Sequence, residues 1–62
     1  MKVLLFILVY YMDPETRKLD LMWTANIEQE SMDQCIQQGD RYKYRIEVSE
    51  KIEVQYFCKK IG

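Results

Sequence analysis

Hydrophobic positions along this chain change their period from one stretch to the next, and each change marks an element. Residues 1–12, MKVLLFILVYYM, place apolar side chains at odd and even positions alike after Lys2. As a strand, such a segment needs cover on both faces and belongs in the middle of a sheet. Asp13-Pro14-Glu15-Thr16-Arg17-Lys18 follows with the composition of a turn, Pro14 presetting φ and Asp13 able to bond the backbone ahead. From Leu19 to Ile27 the pattern alternates. Leu19, Leu21, Trp23, Ala25 and Ile27 fall on one face, with Asp20, Met22, Thr24 and Asn26 on the other. This predicts a second strand with one buried face, Trp23 in the core, hairpin-paired with the first.

Ser31-Met32-Asp33-Gln34 has the form of a capping box, with Ser31 as N-cap and Gln34 reaching back. Beyond it Met32, Cys35, Ile36, Gly39, Tyr42 and Ile46 recur at helical spacing, which predicts a helix from about Met32 to about Ser49. A rival reading exists, because Tyr42 to Val48 also alternates. Gly39 would then end a two-turn helix, and 42–48 would pair with 52–58 as a second hairpin. The crossover favours the long helix. A hairpin's second strand ends beside the start of the first, so the chain must travel a strand's length before a third strand can pair antiparallel to strand 1. Ile52, Val54, Tyr56 and Cys58 alternate with Glu53, Gln55, Phe57 and Lys59 and close the chain with that strand. The expected fold is α+β: one ββαβ domain spanning 1–62, a three-stranded antiparallel sheet in order 2-1-3 with one helix on one face.

Two periodicities now bear on chemistry. Cys35 lies on the helix stripe and Cys58 on the helix-facing side of the last strand, so the pair is placed to form a disulfide. In a chain this short such a link matters, because 62 residues bury only about 60% of their unfolded surface. The opposite face of the sheet has no helix of its own. If Val3, Leu5, Ile7 and Val9 face the helix, then Leu4, Phe6, Leu8 and Tyr10 face away, joined by Met22 and Phe57. Asp20, Thr24, Gln55 and Lys59 would rim this candidate interface.

Composition removes several function classes. There is no His, which excludes Ser-His and Cys-His nucleophile systems and leaves no zinc ligand set. The carboxylate pairs Glu28/Glu30 and Asp13/Glu15 read as solvated charge, and neither Gly belongs to a phosphate-binding loop. No catalytic, cofactor or metal residue is expected. Nine basic and ten acidic residues are interspersed, so no field for nucleic acid or an anionic membrane stands out. Arg41, Lys43 and Arg45 are diluted by Asp40 and Glu47, and on a helix Tyr42 and Tyr44 form no stacking platform. The apolar start has the look of a signal segment but lacks a small-residue cleavage site, and it is shorter than the ~20 residues of a membrane span.

The layout resembles short uncharacterised phage-encoded proteins. The elements that carry the resemblance are Met1–Met12, Asp13-Pro14, Met22-Trp23, Ser31-x-x-x-Cys35 and Tyr56-Phe57-Cys58. Versions that look exported have small residues after the apolar segment, and this chain does not. The resemblance implies a phage accessory product and no mechanism. The expected function is a non-catalytic module that binds a protein partner or a second copy of itself. The alternative is a small exported or membrane-associated structural protein, and the compartment stays undecided between cytoplasm and periplasm.

Overall fold

A computed structural model describes residues 2–61; Met1, the first residue of the apolar segment, lies outside them. The elements are β1 (Val3–Met12), β2 (Leu19–Gln29), α1 (Met32–Ile46) and β3 (Ile52–Lys60). They form one three-stranded sheet in order β2-β1-β3, with β1 antiparallel to both neighbours. This is the ββαβ arrangement the periodicities predict.

β1 explains the order. Its residues are apolar on both sides, and the centre of the sheet is where neither side meets water freely. Val3, Leu5, Ile7 and Val9 are buried on the helix side, and with Val54 and Cys35 they make up the core among the described residues. Ile27, Met32, Tyr42, Ile46, Ile52, Tyr56 and Cys58 pack around it half-buried. Four of the six buried core side chains come from β1, so the N-terminal apolar segment is the centre of the fold.

The β1–β2 turn is built as its residues suggest. The Asp13 carboxylate accepts from the Glu15 amide at 2.9 Å, and the Asp13 carbonyl accepts from the Arg17 amide at 2.7 Å. Arg17 takes φ 60°, the left-handed region. At the start of α1, Ser31 accepts from the Gln34 amide at 3.2 Å, with Asp33 in the first turn. Among the described residues no bond returns from the Gln34 side chain, so half of the expected box forms.

The long-helix reading holds for residues 32–46, and the second hairpin at 42–48 does not form. The helix stops three residues short of Ser49. Glu47 is the C-cap, and Ser49 accepts from the Lys51 amide with its hydroxyl and from the Ile52 amide with its carbonyl. Those local bonds compete with a further helical turn.

A helix of 15 residues spans about 22 Å, roughly half of the molecule's 43 Å length. It lies over β3 and β1 and leaves β2 largely uncovered. Trp23 therefore corrects the sequence reading: the register sets it beside Val9, yet it is 49% exposed and stands outside the core.

Candidate interaction face

Two side chains fix how α1 sits. Cys35 and Cys58 are joined in a disulfide, with Cα atoms 6.1 Å apart, which ties the first turns of the helix to the end of β3. One turn further on, Gly39 is buried against the ring of Tyr56, where a Cβ would overlap the ring carbons. The Tyr56 hydroxyl donates to Asp40 Oδ1 beside it. That bond, with burial and the charge of Asp40 acting the same way, raises the phenol above its ordinary value of 10.0. Glu47 completes the junction by accepting the Val54 amide at 3.0 Å, which satisfies a backbone donor of edge strand β3. With α1 held this way, the other side of the sheet faces outward.

Directly opposed residues of an antiparallel pair share a face. Leu4 lies between Glu28 and Lys59, Phe6 between Asn26 and Phe57, and Leu8 between Thr24 and Gln55. Tyr10 lies between Leu21 and Glu53. Leu4, Phe6, Leu8 and Tyr10 are half-buried, forming an apolar ridge along β1 flanked largely by polar rows. Phe57 interrupts one row. It is 50% exposed, and its ring stacks on Phe6 with centroids 4.7 Å apart and planes 15° from parallel. Stacked partners stiffen the middle of the face. At one end the Lys2 ammonium lies 3.6 Å from the Glu28 carboxylate.

The structure departs from the expected face on β2. The register shifts between Val9 and Tyr10, so Val9 opposes Trp23 while Tyr10 opposes Leu21. Met22 is the extra residue of this bulge and has no partner on β1, so it does not take its expected place in the row beside the ridge. Beyond the bulge every side chain changes sides. Leu21 and Leu19, expected in the core, are brought to the outward face opposite Tyr10 and Met12, and both are exposed. Asp20, expected on the rim, is set opposite Tyr11 on the other side. Clean alternation from Leu19 to Ile27 conceals this shift.

Among the described residues no group of three or more His, Cys, Asp or Glu is placed to hold a metal ion. No described helix is long and apolar enough to cross a membrane. A surface hollow of about 530 Å³ is lined by Asp40, Lys43, Tyr44, Glu47 and Val48 at the exposed end of α1. No protein-family model, curated protein or solved structure matches the chain.

Proposed function

We propose that this chain is a small non-catalytic interaction module that works by protein–protein binding through the outward face of its sheet, with a second copy of itself as the simplest partner. The observation that carries the reading is the ridge of Leu4, Phe6, Leu8 and Tyr10, extended by Phe57 and Leu21, on the side away from α1. Contiguous apolar surface of this kind on a small domain marks an interface. A self-complementary face closes naturally into a two-fold dimer. Ten residues of β1 and three strands give a face of roughly 450–500 Å², about a tenth of the 4757 Å² surface. Two such faces bury about 900–1,000 Å² together, the range of weak, transient association, so the dimer is expected to be reversible. An accessory role in a phage, as the resemblance implies, suits a module that acts by occupying another surface.

Sedimentation equilibrium tests this, on the parent and on a Phe6→Lys/Leu8→Glu double variant. The expected result is a concentration-dependent dimer in the parent and a folded monomer in the variant. A monomeric parent at all concentrations overturns the homodimer. A variant that unfolds instead of dissociating shows that these side chains stabilise the monomer and are not an interface.

The disulfide favours a second reading, a small exported structural protein, because such bonds persist in oxidising compartments. Under that reading β1 stays with the mature chain, since its loss would remove four core residues. Mass analysis of the natural product tests it: a terminus beyond Val9 is incompatible with this fold.

A further inference from the structure

Resting on the self-association reading, we infer that the two copies pack face to face with their β1 strands antiparallel, the two-fold axis crossing β1 between Phe6 and Leu8. In this arrangement the Leu4 row of one copy meets the Tyr10 row of the other, and the Phe6 row meets the Leu8 row. The rows are those of the register, Glu28–Leu4–Lys59, Asn26–Phe6–Phe57, Thr24–Leu8–Gln55 and Leu21–Tyr10–Glu53. Two features of the face select this axis over one running along β1.

Charge is the first. Lys59 and Glu53 stand on the same strand at opposite ends of the face, six positions apart. Turning one copy about an axis across the strands sets Lys59 over Glu53 of the second copy, and the reverse pair forms at the other end. Lys2 then lies over the apolar end near Met12 and Glu28 over Leu21, so the net positive end of one copy meets the Glu53 end of the other. An axis along β1 instead stacks every row on itself with β2 over β3. It too forms two opposite pairs, Glu28 over Lys59, but it sets Lys2 over its own equivalent and lays the net positive end, Lys2, Glu28 and Lys59, on itself. Like charges opposed across an interface are costly, and complementary ones set its register.

Size is the second. The crossing axis puts Tyr10 over Leu4 and the Phe6–Phe57 stack over Leu8 and Gln55, so that large side chains meet smaller ones. Facing layers interdigitate best when bulk alternates in this way. An axis along β1 sets Phe6 on Phe6 and Tyr10 on Tyr10. Aligned sheet packing, within about 30° of the strand directions, accepts either sense, so charge and bulk decide it.

Charge reversal distinguishes the two senses by sedimentation equilibrium at low salt, with circular dichroism to confirm folding. Glu53→Lys and Lys59→Glu should each weaken the dimer about tenfold or more, because two attractive pairs become repulsive. The Glu53→Lys/Lys59→Glu double variant should regain the parent's association. A one-to-one mixture of the two single variants should form a heterodimer tighter than either alone. If the parent dimerises, Lys59→Glu weakens it, and Glu53→Lys has no effect, the axis runs along β1 and this inference is wrong while the face reading survives. If both reversals are neutral yet Phe6→Lys/Leu8→Glu still dissociates the dimer, the charge register is wrong and the face again survives. A monomeric parent overturns the face reading and this inference together.

Discussion

Gly39 lies against the ring of Tyr56 so closely that a Cβ at Gly39 would overlap ring carbons Cγ, Cδ2 and Cε2. The absent side chain is what lets α1 approach β3. Replacing an interior helical Gly with Ala ordinarily gains about 1 kcal/mol of helix propensity. Here the sign reverses. Tyr56 is tethered to Asp40 and packed on the core, so it cannot swing away without losing both. Gly39→Ala should therefore destabilise the fold by about 1–3 kcal/mol, the range for overpacking. In a Tyr56→Ala background the same change should be neutral or stabilising, since the space is then free. A double-mutant cycle by urea denaturation checks this, and equal effects in both backgrounds would reject the contact. Gly39→Pro should cost ~3 kcal/mol or more, because the helix is continuous through this position.

The Cys35–Cys58 link closes a loop with a sequence separation of 23. Few buried side chains hold α1 to the sheet, so this constraint is a large part of its anchorage. Cys35→Ser/Cys58→Ser should lower stability by about 3 kcal/mol, chiefly by freeing the unfolded chain. Non-reducing mass analysis of the parent should show two hydrogens fewer than the reduced form. Two freely alkylated thiols in folded protein would refute the bond.

Much of this architecture is legible in the residues, and the illegible parts have physical causes. Strand order follows from β1 being apolar on both sides, and the disulfide from two periodicities that face Cys35 toward Cys58. Ser31 announces the helix start because its hydroxyl has one obvious use there. The end of α1 is harder to read, since Ser49 and Glu47 act through bonds to particular amides that periodicity does not encode. On the outward face, Phe6, Leu8 and Phe57 follow from parity alone. Leu19, Leu21, Asp20 and Trp23 do not, because a bulge at Met22 inverts parity without disturbing the alternating pattern, and because α1 lies over β3 and β1 and leaves β2 largely uncovered.

The phenol of Tyr56 supplies a pH dependence. Its proton is held more tightly in the folded state than the ordinary tyrosine value of 10.0 implies, first by the bond to Asp40. Between about pH 10 and the raised folded value, the folded state binds more protons than the unfolded one. Stability from this group is therefore complete below pH 10 and is lost as pH rises through that window. Thermal melts from pH 8 upward should fall more steeply for the parent than for Tyr56→Phe, which lacks the titrating group. Parallel curves would show that the bond to Asp40 does not distinguish the two states.

Arg17 carries a cost that a single substitution should remove. It is the one non-glycine residue with positive φ among those described, at 60°, and its amide closes the hairpin turn on the Asp13 carbonyl. For an L-residue this conformation costs roughly 1–2 kcal/mol through the clash of Cβ with the backbone. Glycine has no such clash but loses about 0.5–1 kcal/mol more in ordering its freer chain. Arg17→Gly should therefore stabilise by up to about 1.5 kcal/mol, the difference of those two effects. Asn, which tolerates the left-handed region, should give a smaller gain. Val, branched at Cβ, should destabilise, and Pro should do so more strongly because it also removes the N–H that Asp13 accepts. The expected order of stability by urea denaturation is Gly, Asn, Arg, Val, Pro. If Gly and Val act alike, the turn tolerates either backbone and the conformation of Arg17 carries no strain.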